Sequence, residues 1–527
     1  MAIPSTTVWE VRQTATAGNV NGGGFNSARG GTDYTQQDAA QLALSDLTTS
    51  GAGSTTLSSV TGGFTSQMVG NIIYIASGTN FQVGSYEVVT FTDSNNVVLD
   101  RTPTSGGAGS VGVGKLGGAK SMNSTLDDDW FEELVGGNIV YVKYSSTAFA
   151  LGESISVASS SGTNTAPVFI LGYNTTRGDN PTGSNRPLFN FATQNMNLNN
   201  MIAIVRNIAF TGTPATLVVS PALGGTFENC KFLNTSSTAA RTALSLSAEA
   251  FAIGCEACSL NGVAIAPSTN SVIMDSYIHD SDKGIAGAFA RVYSLNNIFE
   301  ANTTADIELS STTGVSKFIS NTFYGREGKI GIGINILGAT NPGNRILNNI
   351  FYGKATAISI ATLEQKSNIS FKNTFFNNTT NATNYTLGDT DLTSDPSFTA
   401  ATQVTGTTAT TSGSVLTQSG GDFSSVTDNV DVLHVLSGTG VTVGKYLITS
   451  HTGTTLTVNN ALGTSSGGDV VYFVTTGHNF GVGTNMKAAA YQMTNTGSES
   501  NSYLDIGAVQ RIEPAAGGGG GGYAYSN

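Results

Sequence analysis

The chain has 527 residues and a net charge of −12; only 11% of it is charged, and 65 residues are glycine. An acidic balance with no basic cluster repels phosphate backbones and anionic lipid, which argues against nucleic-acid binding, and no apolar run approaches the roughly 20 residues of a membrane-spanning helix. Sparse charge with abundant Gly, Ser, Thr and Asn is the composition of an all-β protein with many tight turns.

The first segment, 1–50, opens on "MAIPSTTVWEVRQ", which has no basic-then-apolar leader, so the chain is expected to stay in the cytosol or leave it by a route such as lysis. Further along, "GGTDYTQQDAAQLAL" (30–44) predicts a short capping helix. Thr35 is its N-cap, Asp38 lies in its first turn, and Ala39, Leu42, Ala43 and Leu47 form its apolar stripe.

Residues 51–118 carry the strand runs "NIIYIASG", "SYEVVTFT" and "NNVVLDR". Part of this module returns near the other end of the chain. Ser77, Gly78, Thr79, Val83, Gly84 and Tyr86 recur at one constant offset as Ser437, Gly438, Thr439, Val443, Gly444 and Tyr446. Within the first copy, "GSVGVGK" (109–115) spaces Gly109, Gly114 and Lys115 like a phosphate loop. Leu116 stands where the magnesium-binding hydroxyl belongs and no helix follows, so nucleotide binding is not expected.

Residues 119–401 read as a coil of short strands. "LDDDWFEEL" (126–134) is expected to be an exposed acidic helix start, because neighbouring acids there point different ways. In "GYNTTRGDNPTGSNRP" an ion pair from Arg177 or Arg186 to Asp179 is expected to fix a loop, ahead of any adhesion role for the RGD triplet. From about residue 200 a short strand element repeats, anchored on Asn207, Asn229, Glu256, Asp275, Asn297, Asn321, Asn349 and Asn373 at spacings of 19 to 28 residues. Second strands such as "GVAIA", "DIELS" and "GIGINI" alternate between the anchors. This period predicts a right-handed parallel β-helix. The recurrent asparagines Asn207, Asn229, Asn297, Asn321, Asn349 and Asn373 suit a structural ladder at a tight turn.

Chemistry-bearing clusters are few. Cys230, Cys255 and Cys258 form an odd set without a zinc or redox framework and read as small buried hydrophobes. The four histidines, His279, His434, His451 and His478, are scattered with no nucleophile beside them. "HDSDKG" (279–284) supplies the best acid and base candidates for catalysis, Asp280, Asp282 and Lys283, although a turn between strands is also where charges ordinarily sit. No metal or cofactor site is read.

Residues 402–477 hold the second copy of the module, with "VDVLHVLSG", "KYLITSHT" and "TTLTVNN" as its strands. A closing segment spans 478–513, and 514–527 is a glycine-rich tail in which Tyr523 and Tyr525 are the candidate assembly contacts.

The segments "ARGGTDYTQQDAAQLALSDL", "GNIVYVKYSSTAFAL", "GYNTTRGDNPTGSNRPLF", "SDPSF" and "DIGAVQ", with the Asn-anchored coils, resemble the pectate-lyase-like parallel β-helix superfamily. Within it they resemble a group of uncharacterised phage and environmental virion-type proteins. The resemblance covers most of the chain. It implies an all-β, right-handed parallel β-helix with two small antiparallel β insertions and a short N-terminal capping helix. It does not specify activity, since that superfamily holds lyases, glycosidases, tailspikes and purely structural proteins.

The expectation drawn from it is a structural protein of a bacteriophage virion, assembled in the host cytoplasm and exposed as a capsid-decorating, head-fibre or tail-associated component. Its expected partners are other virion proteins and copies of itself, with a host surface glycan as a further candidate. The alternatives are a tailspike-like depolymerase of bacterial surface polysaccharide and a glycan-binding adhesin without catalysis.

Overall fold

A computed structural model describes residues 3–15, 21–122, 129–157, 162–220, 224–288, 291–311, 314–325, 330–338, 343–361, 368–398 and 404–475. The closing segment, the tail with Tyr523 and Tyr525, His478 and the acids at 127 and 128 lie outside them. The chain divides into two compact units, one of residues 1–234 and 243–256, the other of 235–242 and 257–527.

In the first unit the coil begins at strand Thr7–Val11, which pairs in parallel with Ile139–Lys143. That strand continues the ladder to Val168–Tyr173, Ala203–Arg206, Thr226–Glu228 and Phe251–Ile253. Two further parallel ladders complete each turn of the coil; one runs through Phe149–Ala150, Leu188–Asn190, Ala209–Gly212 and Lys231–Asn234. Stacked phenylalanines fill the interior, with Phe149, Phe189, Phe210 and Phe232 at successive ring separations of 5.0, 5.9 and 5.3 Å. The second unit repeats the scheme with Phe299, Phe323, Phe351 and Phe375 at 5.0, 4.7 and 5.0 Å.

From the strand Ala203–Arg206 onward, each coil turns its first corner with one left-handed residue followed by one inward-facing residue, Gly254 and Cys255 among them. The other left-handed residues are Asn207 and Asn229 in the first unit, and Asp275, Asn296, Ser320, Asn348 and Lys372 in the second. The inward residues that follow are Ile208 and Cys230, then Ser276, Asn297, Asn321, Asn349 and Asn373. The six expected ladder asparagines therefore occupy two adjacent positions. Asn297, Asn321, Asn349 and Asn373 form the buried ladder: Asn321 donates to Asn349 Oδ1 at 3.1 Å, and Asn349 to Asn373 Oδ1 at 2.9 Å. Each also satisfies a carbonyl, as Asn321 does at Ser294 O. Asn207 and Asn229 stack at the left-handed position instead, where Asn229 donates to Asn207 Oδ1 at 2.7 Å. Cys230 fills the inward position, and its thiol donates to the Val205 carbonyl.

The N-terminal capping helix is corrected by the structure. Among the described residues, helix is confined to 3-10 turns at Ser66–Met68, Asp129–Glu133 and Gly183–Asn185. Gln36 to Ala39 form bends, and Leu42–Thr49 is a strand with Leu44 and Leu47 buried. Pairing with Ser110–Leu116 on one side and Thr56–Ser58 on the other outweighs the local helical preference. The open edge of the first coil is covered by the antiparallel strand Gly24–Asn26.

Two closed six-stranded barrels accompany the coil. The first barrel comprises Leu42–Thr49, Thr56–Ser58, Ile72–Thr79, Gly84–Asp93, Asn96–Leu99 and Ser110–Leu116. The second comprises Val404–Ser412, Val415–Thr417, Val432–Ser437, Gly444–His451, Thr455–Val458 and Ser465–Thr475. Both close in the same order: first, second, fifth, fourth, third, sixth. The recurring sequence positions are equivalent in structure. Ile73 pairs with Tyr86 as Leu433 pairs with Tyr446, and each tyrosine hydroxyl donates to the carbonyl four residues before it. Gly78 and Gly438 share φ of 144° and 149°, which a side chain rarely adopts.

Candidate functional site

Asp280, the first of the acids suggested by the sequence, ends the strand Tyr277–His279 at a second corner, with φ of 50°. Asp tolerates that left-handed geometry, and the corner aims its carboxylate away from the coil interior. There it is fully enclosed by the second barrel. Oδ1 accepts from His434 Nε2 at 2.5 Å and from Thr475 Oγ1 at 2.6 Å, while Oδ2 pairs with His279 Nδ1 at 2.7 Å. Burial by itself raises the Asp280 carboxyl. The hydrogen bonds and charges of the two imidazoles outweigh it and hold the group well below the usual carboxylate range.

Asp282 lies beside it and takes a second barrel contact, from Lys445 Nζ at 2.7 Å; the same amine donates to Thr303 Oγ1. Desolvation lowers the Lys445 pKa, and the Asp282 charge opposes part of that shift. Lys283 faces another way and pairs with Glu308 at 2.6 Å. The structure thus brings Asp280 and Asp282 together as a joint between barrel and coil, and sets Lys283 apart from them.

His434, Lys445 and Thr475 complete this joint, and sequence reasoning missed their role. Their one visible signal was the repeat. Position 434 is equivalent to Tyr74 in the first barrel and 445 to Ser85, and each residue lies opposite its counterpart in the neighbouring strand, Tyr74 by Ser85 and His434 by Lys445.

The first barrel uses the same face against its own coil. Tyr74 stacks under the ammonium of Lys120 at 4.6 Å, and Lys120 also lies over Trp9 at 5.8 Å. Lys120 is fully buried and desolvation lowers its pKa to about 8. On a neighbouring strand Glu87 holds Arg29 at 2.7 Å and Asn26 at 2.9 Å. One barrel fold, docked twice through one face, therefore uses a cation over an aromatic ring in one unit and an imidazole on a carboxylate in the other.

Arg177 of the RGD triplet closes a second buried cluster in the first unit. It donates to Glu10 Oε2 at 2.6 Å, Asp33 Oδ2 at 2.8 Å and Thr35 Oγ1 at 2.8 Å, and stacks on Tyr141 at 4.6 Å. The expected pairing of Arg177 or Arg186 with Asp179 is absent from the loop. Asp179 instead accepts the backbone N–H groups of Asn174, Thr175 and Thr176, and Arg186 donates to Asn229. Main-chain donors already within reach of Asp179 leave the guanidinium free to neutralise the buried Glu10. The "GSVGVGK" run forms the last strand of the first barrel, with no helix after it.

On the outer face of the second unit, Tyr324 and Tyr352 stack at 5.2 Å, Phe376 continues the row at 5.9 Å, and Phe398 meets both tyrosines edge-on. All four are half-buried. Among the described residues no group of three His, Cys, Asp or Glu side chains is placed to hold a metal.

No family model and no curated protein matches the chain. Among solved structures it is similar to pectate lyase Pel9A, at 10% identity over 73% of this chain and 90% of that one, TM-score 0.40. It is also similar to the PL6 family polysaccharide lyase Pedsa3628 from Pseudopedobacter saltans, at 12% identity over 47% of this chain and 74% of that one, TM-score 0.34. A third similarity is to the Gp54 tailspike of Acinetobacter baumannii bacteriophage AP22, solved with a capsular saccharide, at 10% identity over 83% and 84%, TM-score 0.22. Likenesses this distant carry no argument about what the chain does.

Proposed function

We propose that the chain is a structural component of a bacteriophage virion, displayed on the particle as a capsid-decorating, head-fibre or tail-associated element. In this reading the parallel coil is a rigid strut, the barrels are mounted modules, and further copies and other virion proteins are the partners. The observation that carries it is the fate of Asp280 and Asp282. Acid–base cleavage of a polysaccharide needs carboxyls that face the sugar, and these two are enclosed or ion-paired against the second barrel. Labelling purified particles with an antibody to the second barrel tests the reading. Regular decoration supports it, and particles lacking the protein overturn it.

A second reading, a glycan-binding adhesin without catalysis, is favoured by the half-buried row Tyr324, Tyr352 and Phe376, whose outward ring edges offer amphipathic contact area to a saccharide. Host capsule or lipopolysaccharide incubated with the protein separates the readings. Binding without new reducing ends or unsaturated products favours the adhesin, neither binding nor product favours the strut, and cleavage products promote the depolymerase.

A further inference from the structure

Lys354 breaks a rule of the coil interior. It holds the inward position at the second corner, which Ser281, Asn302 and Asn378 hold in other coils. Its backbone N–H donates to Asn378 Oδ1 at 2.9 Å, as that of Ser281 donates to Asn302 Oδ1 at 3.0 Å. An asparagine there also satisfies a carbonyl, as Asn302 does at Ile278 O and Asn378 at Phe351 O. Lysine is too long for that task. Its side chain runs along the coil past two glycines: a Cβ added to Gly325 would sit 2.8 Å from Lys354 Cδ, and one on Gly331 3.4 Å from its Nζ.

The amine ends 2.8 Å from Oδ2 of Asp306, in the strand Ala305–Ser311, and both side chains are wholly buried. One coil intervenes, because Ala305–Ser311 pairs with Ile332–Ile336, which pairs with Thr356–Ile360. Although close, the two atoms are not aligned as a hydrogen bond, and neither has another hydrogen-bond partner among the described residues. Asp306 Oδ1 is polarised from the other side by Asn302 Nδ2 at 3.0 Å. Desolvation raises the Asp306 carboxyl, which favours its neutral form.

We propose that Lys354 and Asp306 are joined by an intramolecular amide bond that forms once the coil has folded. A proton passes from the Lys354 ammonium to Asp306 Oδ2, leaving an amine against a carboxylic acid. The Nζ lone pair attacks Cγ, and charge developing on Oδ1 is met by the Asn302 amide. Collapse expels Oδ2 as water, which carries away two of the three ammonium protons. One C–N bond forms and one C–O bond breaks, with no change of oxidation state. Folding supplies the effective concentration that lets an unactivated carboxyl react.

Intact-mass measurement on the denatured full chain tests this directly. The expected mass is one water, about 18 Da, below that of the sequence, and a protease digest yields a branched peptide containing Asp306 and Lys354. Lys354→Met and Lys354→Arg restore the sequence mass. A wild-type mass equal to the sequence overturns the proposal, as does a water loss that maps to another aspartate. Both readouts are made on the wild-type chain, so they decide the question even where a variant fails to fold.

Discussion

His434 of the second barrel and Asp280 of the coil, 154 positions apart in sequence, are in direct hydrogen-bond contact with both side chains buried. The pair ties the coil to the second barrel at Asp280, and its energetics are open to measurement.

Removing one partner of a buried charge pair costs about 3 to 5 kcal/mol, because the other charge is left without compensation. Asp280 keeps His279 and Thr475 as partners, so His434→Ala is expected to weaken the barrel joint by less, about 1 to 3 kcal/mol, with the coil still folded. Asp280→Asn keeps a residue that tolerates the left-handed corner and so removes only the charge. Hydrogen exchange across Val432–Ser437 should rise in both variants, while the interior strand Thr322–Tyr324 keeps its protection.

Acid should open the same joint. The Asp280 carboxyl is depressed in the folded chain, so it contributes stability that is fully present above its unfolded value, about 3.9, and is lost as pH falls through the lower folded value. Melting temperature followed from pH 5 to pH 2 should drop more steeply for the wild type than for Asp280→Asn. Parallel curves would show that Asp280 does not carry the dependence.

Asn348 and Asn349 are neighbours with different tasks. Asn348 has φ of 58°, a geometry that glycine adopts freely, so Asn348→Gly keeps the corner and should cost less than Asn349→Gly. Asn349 accepts from Asn321 and donates to Phe318 O and Asn373 Oδ1 inside the coil. Asn349→Gly leaves those groups unpaired at about 1 to 3 kcal/mol each and should cost several kcal/mol in denaturant unfolding. Equal losses would mean that the ladder does not distinguish the two positions.

Arg177 should matter for folding and not for adhesion. Arg177→Ala leaves the fully buried Glu10 with Arg12 as its remaining cation, and a loss of about 1 to 3 kcal/mol is expected. Arg177→Lys should recover little, since an ammonium cannot reach Glu10, Asp33 and Thr35 together with the planar fork. Unchanged melting in both variants would remove the cluster from the account of the first unit.

The coil was legible in the sequence because its period is local. Inward Phe299, Phe323, Phe351 and Phe375 each recur within one turn of the chain, and parallel stacking requires that recurrence to bury a continuous core. The duplicated antiparallel module, though not its closure into a barrel, was legible for a similar reason, since glycines such as Gly78 and Gly438 mark turns that few other residues can make. The capping helix was misread because the stripe Leu42, Ala43 and Leu47 fits a helix locally, whereas its strand partners, as far away as Gly112 and Leu116, decide otherwise. The asparagines merged into one set because a left-handed corner and an inward amide both favour Asn one residue apart, and spacing alone does not separate them.

By itself, the sequence determined the β-helix, its repeat and the twin insertions, since these follow from periodic burial and turn chemistry within tens of residues. Only the tertiary structure decided the partners of Asp280, Asp282, Arg177 and Lys354. A carboxylate's use depends on which charge shares its low-dielectric surroundings, and here His434, Lys445, Glu10 and Asp306 arrive from other coils, another barrel or a distant segment of the chain.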